Sequence, residues 1–164
     1  MPTSVRLVLA LALALGAAGC RQADGPTPTP SSEQSNEIGD LARDMINVVN
    51  KDPQAPDDLR SDLLKYAPNE QASAQITDLA NETARALAGA RLEDQAAQAL
   101  ARNLWLAVSA REMSERQIDV LGREVKMVLA SAGVTEERAQ PVVDRLGAVQ
   151  KAITENPRRW YQVF

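Results

Sequence analysis

The chain has 164 residues, one cysteine, no histidine, and Lys+Arg 18 against Asp+Glu 22 for a formal net charge of −4. That length holds one modest domain; the lone cysteine excludes an intrachain disulfide and a cysteine-cluster zinc site, and the missing histidine removes the commonest general base and metal ligand. Hydrophobic residues make up 45% of the chain but aromatics only 3%, so the core must be Leu, Val, Ile and Ala, which disfavours a β-sandwich or barrel, and no dense basic block exists to grip a phosphate backbone, so nucleic acid is not an expected partner.

The first element is a leader. Met1-Pro-Thr-Ser-Val-Arg6 carries one positive charge, and the run Leu7 to Leu15 is too short to span a bilayer but has the length of a signal-peptide hydrophobic region. Gly16-Ala17-Ala18-Gly19-Cys20 follows, small residues that leave the backbone accessible to a peptidase, with the protein's one cysteine at the end. These residues resemble the lipobox of bacterial lipoproteins: Ala18, Gly19 and Cys20 match it, whereas Ala17 stands where leucine is usual. The resemblance covers the first twenty residues and implies that Cys20 is acylated and becomes the mature N-terminus, anchoring the protein in the cell envelope. Arg21 follows the cysteine in place of the aspartate that retains many enteric lipoproteins at the inner membrane, which by the same resemblance favours the periplasmic face of the outer membrane. Ordinary secretory cleavage at Ala17 and Gly19, leaving a free thiol, and an uncleaved anchor are the alternatives. Each buried methylene of an acyl chain contributes about 0.8 kcal/mol, so several chains on one cysteine hold a protein stably where one holds it marginally.

From Arg21 to Gln34, Pro26, Pro28 and Pro30 alternate with Thr27 and Thr29 and no large apolar residue occurs. Such a stretch cannot bury itself and is expected to be a disordered, extended tether, long enough to hold a domain roughly 40 Å from a membrane.

Helical spacing begins next. Ile38, Leu41, Met45 and Val48 or Val49 form a stripe over Asn36 to about Asn50, with Ser35 as the expected cap. Pro56 suits the first turn of a short second helix bearing Leu59, Leu63 and Leu64, with Asp57 and Asp58 where the dipole favours anions. Asn69 caps a third helix with Ile76, Leu79, Thr83 and Leu87 on one face and Gly89 as terminator. A fourth is expected from about Leu92 to Glu112, with Leu92, Ala96, Leu100, Leu104 and Val108 as its stripe. Ser114 and Gln117 have capping-box spacing and Met113 and Ile118 that of a hydrophobic staple, opening a fifth helix with Ile118, Leu121, Val125, Val128 and Leu129 inward. Gly133 and Val134 are placed to close it in a Schellman turn over Leu129. Thr135 caps a sixth with Ala139, Val142, Leu146, Val149 and Ile153 as its seam, where Pro141 predicts a kink or a short first turn before the main helix.

The expected fold is therefore all-α, an antiparallel helical bundle or orthogonal array of about six helices. The organisation is leader 1–19, lipidated cysteine and tether 20–34, helical domain 35–157 and tail 158–164. That tail holds three of the chain's five aromatic residues: Trp160, Tyr161 and Phe164 follow Arg158 and Arg159. Either Trp160 and Phe164 fold back and plug the open end of the bundle, or the aromatic and Arg side chains engage a partner protein or lipid interface, where such residues dominate hot spots. Trp105 and Tyr66 read as core or rim residues.

Chemistry is sparsely signalled. Asp57, Asp58 and Asp62, and separately Glu136 and Glu137, are the acidic clusters, but they fall in helix first turns or on exposed faces without the glycine-containing loop of a calcium site, so no metal is expected. Glu112 with Arg116 and Asp119 with Arg123 are expected as pairs on a solvated face. No Gly-rich phosphate loop or nucleophile elbow is present, nothing places two carboxylates across a cleft, and the few aromatics argue against a pocket that stacks a flat cofactor. The expected function is a non-enzymatic interaction or structural module of the envelope, with an envelope protein as partner. The alternative is a bundle that binds a small apolar ligand or lipid, opening around Pro141.

Overall fold

A computed structural model describes residues 31–155, and all of its regular structure is helical: α1 Ser32–Val49, α2 Ala55–Leu64, α3 Glu70–Leu87, α4 Asp94–Ser109, α5 Glu115–Ser131 and α6 Glu136–Glu155. None of these helices is long and apolar enough to cross a membrane. The leader, most of the tether and the aromatic tail lie outside the described residues.

Local chemistry explains most of the boundaries. At the start of α1 the Ser31 Oγ accepts from the Gln34 N–H at 3.4 Å and Gln34 Oε1 accepts from the Ser31 N–H at 2.8 Å, a closed capping box. The helix thus begins about a turn before the expected Ser35 cap, and residues 32–34 belong to it and not to the tether. The second box is where it was expected, with Gln117 N–H to Ser114 Oγ at 3.3 Å and Ser114 N–H to Gln117 Oε1 at 2.9 Å. Asn69 Oδ1 accepts from Ala72 N–H at 2.7 Å, and Pro56 sits in the first turn of α2 ahead of Asp57 and Asp58. α5 closes as a Schellman turn: Gly133, at φ 79°, donates to Ala130 at 3.0 Å, and Val134 donates back to Leu129 at 3.0 Å.

Two boundaries differ from expectation. α4 starts at Asp94, because Glu93 makes no side-chain cap bond and Leu92 stays outside the helix, and it stops at Ser109 where Glu112 was expected. No glycine ends it; instead, Gln150 on α6 donates its amide Nε2 to the Ala107 and Ala110 carbonyls at 2.6 and 3.1 Å, satisfying groups that the helix end leaves open. α6 runs unbroken through Pro141 from Glu136, so the sequence-based alternative of a main helix beginning near Pro141 is not adopted. The missing proline N–H costs one bond, to the carbonyl of Glu137, an exposed residue.

The helices form two three-membered sets. α1, α2 and α3 touch one another, α4, α5 and α6 do likewise, and the sets join through α1 against α4 and, most extensively, α3 against α6. Between them lies an aliphatic core in which Met45, Leu59, Leu63, Ile76, Leu79, Leu104, Leu129 and Leu146 are fully buried. Ala97, Ala101 and Ala107 give α4 a narrow inward face that lets neighbours approach closely. Gly122 does the same for α5, since a Cβ there would lie 2.9 Å from Val143 Cγ1 on α6. α6 ties further ends: Arg138 Nη2 donates to the Arg85 and Ala88 carbonyls at 2.6 and 2.7 Å, closing α3, and Asn69 Nδ2 reaches the Ala152 carbonyl at 3.3 Å.

Candidate docking groove

α4 and α5 are joined by a short connection, and they diverge enough to leave an apolar groove of about 1030 Å³ between them. α5 creates it by carrying two apolar stripes. Leu121, Val125 and Leu129 face the core, while Val120 and Met127 sit one helical face over, in line with Met113 seven residues before Val120. α4 supplies Ala99, Leu106 and Asn103 from the facing side, and Arg102, Arg116 and Glu124 stand among the lining charged groups. Val120 is 40% and Met127 65% exposed, and among the described residues these are the large hydrophobic side chains left open to solvent.

Asn103 is the polar group at the groove. It is only 6% exposed and lines the groove. Its amide opens on the groove, where water or an occupant can hydrogen-bond to it. Gln117, the other lining amide, is already held by Ser114.

Two smaller depressions extend the groove. One, about 500 Å³, lies between the start of α5 and the end of α6, shares Met113 with the groove, and is lined by Glu115, Asp119 and Glu155 among others. Lys151 pairs with Glu155 there at 3.7 Å. The other, about 290 Å³, shares Ala99 and Arg102 and reaches Ser35 and Ile38 on α1. The surface beside Pro141 is a shallow hollow of about 250 Å³ flanked by Glu82, Asp144 and Arg145, so the apolar opening lies between α4 and α5 and not around the proline.

The acidic residues singled out in the sequence are paired or dispersed. Asp57 meets Arg60 at 2.8 Å, Asp62 meets Lys65 at 2.7 Å, and Glu136 meets Lys126 at 3.0 Å. Among the described residues no group of three or more His, Cys, Asp or Glu could hold a metal ion. Neither expected α5 pair forms an ion pair: Glu112 precedes the helix, and Arg123 Nε turns to the Asp119 carbonyl at 3.4 Å. The perturbed carboxylate is one the sequence did not single out. Partial burial, then the negative fields of Asp62, Asp58 and Asp40, push Asp44 from 3.8 up to about 6.

Tyr66 and Trp105 meet edge to face with ring centroids 6.3 Å apart at 85°, half-buried against the core as expected. Burial, then a hydrogen bond to Glu37, raises the Tyr66 phenol above its ordinary value and keeps it neutral. Cys20, Arg158, Arg159, Trp160, Tyr161 and Phe164 all lie outside the described residues, so none joins the groove by direct observation. Compared with family models, with curated proteins and with solved structures, the chain finds no match in any of the three.

Proposed function

We propose that this protein is an envelope lipoprotein, tethered through Cys20, whose helical domain is a non-enzymatic docking module that receives an envelope protein partner in the groove between α4 and α5. The observation carrying the reading is the groove itself: an apolar surface bearing Met127 and Val120, with the Asn103 amide among its lining groups. Methionine surfaces adapt to varied partners, and a central desolvated patch among charged side chains is the arrangement of interface hot spots. The lipobox-like leader and the proline-rich segment support the tethered placement. A small apolar ligand in the same groove is the second reading, supported by a volume at the upper end of the range for ligand sites.

Two measurements test the proposal. Metabolic labelling with a fatty-acid analogue should mark the parent and not Cys20→Ser; equal labelling of both defeats the anchoring. A photoreactive amino acid at Met127 should capture a defined envelope protein in living cells, while the same group at exposed Ser61 should not. Capture of lipid or of small molecules alone would favour the second reading.

A further inference from the structure

We infer that the occupant of this groove is an amphipathic α-helix of another protein, its apolar stripe flanked by aspartate or glutamate side chains. The inference rests on the groove being a docking surface and adds which kind of segment docks there.

Backbone chemistry calls for a helix. Both walls of the groove are helices, whose N–H and C=O groups are bonded within each helix, so no sheet edge is offered to an extended segment. A strand laid along Val120, Met127 and Leu106 would bury a row of main-chain groups with few polar side chains to meet them, and one of these, Gln117, is already held by Ser114. A helix satisfies those groups internally and presents only side chains. The relief of the walls fits as well. On α4, Ala99, Asn103 and Leu106 recur at i, i+4 and i+7, and near α5 Met113, Val120 and Met127 recur every seven residues. Both rows run lengthwise, and a helix with apolar residues at i, i+3, i+4 and i+7 meets such rows at a shallow crossing of about 20°. Val120 and Met127 are about 10.5 Å apart along α5, so an occupant of about four turns reaches from one end of the apolar lining to the other.

Charge selects the flanks. The chain as a whole is acidic, with 22 Asp+Glu against 18 Lys+Arg, yet the charged residues lining the groove are Arg102, Arg116 and Glu124, all exposed, two cations to one anion. Neither arginine forms an ion pair among the described residues, whereas Arg60, Lys65, Lys126 and Arg145 elsewhere on the bundle each meet a carboxylate. Carboxylates on the docked helix would supply the missing partners, and charges placed at the rim of an apolar patch set selectivity and orientation. The cationic surplus is local. Past Met113 the smaller depression is lined by Glu115, Asp119 and Glu155 against Lys151, so the acidic flank belongs over the α4–α5 groove and ends there. A second copy docked groove to groove would bring the same surplus to both sides and double it instead of neutralising it.

The test pans a displayed library of random segments, each about 20 residues long, against the chain from residue 20 onward carrying Cys20→Ser. Clones that bind this protein and not its Met127→Lys variant are groove-dependent, since that change removes an apolar contact while adding a cation that would attract any purely ionic binder. Val120→Lys serves in its place should Met127→Lys not melt cooperatively. The retained segments should share the apolar spacing i, i+3, i+4 and i+7, carry Asp or Glu beside it, and gain helicity on binding by circular dichroism. They should bind the double variant Arg102→Glu, Arg116→Glu about tenfold more weakly, as expected for two exposed pairs each worth a few-fold, and Ser61→Glu equally well. Panning on the double variant should return Lys or Arg at the flanking positions. Extended segments, neutral or basic flanks on the parent, indifference to the double charge change, or no groove-dependent clone at all overturns the inference. So does a concentration-dependent dimer of the parent that Met127→Lys abolishes, which assigns the groove to a second copy. Binding to phosphatidylglycerol vesicles that needs Arg102 and Arg116, without enriched segments, assigns it to a lipid surface and overturns it too. Capture in cells at position 127 of an envelope protein through a segment that is not an acidic helix leaves the docking reading standing and removes this one. Acidic helices from the library, with no protein captured in cells, do the reverse.

Discussion

Two glycines inside helices, Gly39 and Gly122, are indistinguishable by local sequence rules yet should respond oppositely to alanine. Replacing a mid-helix glycine gains about 0.5 to 1 kcal/mol by removing backbone freedom from the unfolded chain. At Gly39 a Cβ meets nothing within 4 Å, so Gly39→Ala should realise that gain. At Gly122 the Cβ would stand 2.9 Å from Val143 Cγ1, well inside the contact optimum of about 3.5–4.0 Å. Val143 is β-branched and held to essentially one rotamer in a helix, so it cannot swing aside and α5 must retreat from α6. Overpacking of this kind costs about 1 to 3 kcal/mol; set against the helix gain, Gly122→Ala should lose about 1 kcal/mol. The two variants then differ by about 2 kcal/mol, or roughly 6–10 °C in Tm at this domain size. Paired thermal and urea melts read the difference, and the double variant Gly122→Ala with Val143→Ala should show a coupling of about 1 kcal/mol that the single changes do not predict. Equal melting of the two alanine variants, or a Gly122→Ala protein more stable than its parent, would refute the close α5–α6 approach.

Three further outcomes are expected. Asp44, raised from 3.8 to about 6, imposes a penalty that is complete above pH 6 and disappears as pH falls toward 4, because in that window the folded chain binds a proton that the unfolded chain does not. Unscreened, the displacement is worth about 3 kcal/mol, and solvent around a partly exposed carboxylate reduces it to about 1 kcal/mol. Asp44→Asn should therefore be stabilising at pH 7 and equal to the parent at pH 4 in urea titrations. Gln150→Glu turns a donor of two hydrogen bonds into a buried charge facing the Ala107 and Ala110 carbonyls, so it should lose about 2 to 4 kcal/mol at pH 7 and recover part of that on acidification, when the carboxyl holds its proton. Leu129→Ala, at a fully buried site, should cost about 2 to 5 kcal/mol, whereas Met127→Ala, two residues away and 65% exposed, should stay within about 0.5 kcal/mol of the parent in the same melts.

Helix ends written in adjacent residues were legible. The Ser114–Gln117 box, the Asn69 cap and the Gly133–Val134 closure involve residues a few positions apart, and all three form as their spacing requires. Ser31 and Gln34 have the same box spacing, but the prolines before them and the lack of nearby apolar residues made the segment read as tether. The end of α4 was not legible for a different reason: its closing donor, Gln150, lies on another helix, and no local window contains it. Asp44 was hidden in the same way, since its partial burial, and then the fields of Asp62 and Asp58 from α2, arise only in the packed fold. The groove left a trace that went unread. Met113, Val120 and Met127 recur every seven residues beside the core stripe of α5, giving that helix more apolar surface than one buried face requires.

The long-range bonds of α6 also bear on when the domain can exist. Gln150 finishes α4, Arg138 finishes α3, and the broadest helix contact in the bundle is α6 against α3. A chain emerging from its N-terminus therefore holds five helices whose core is open along one side and two of whose ends lack closing donors. Cooperative folding has to wait for the last twenty residues of the bundle.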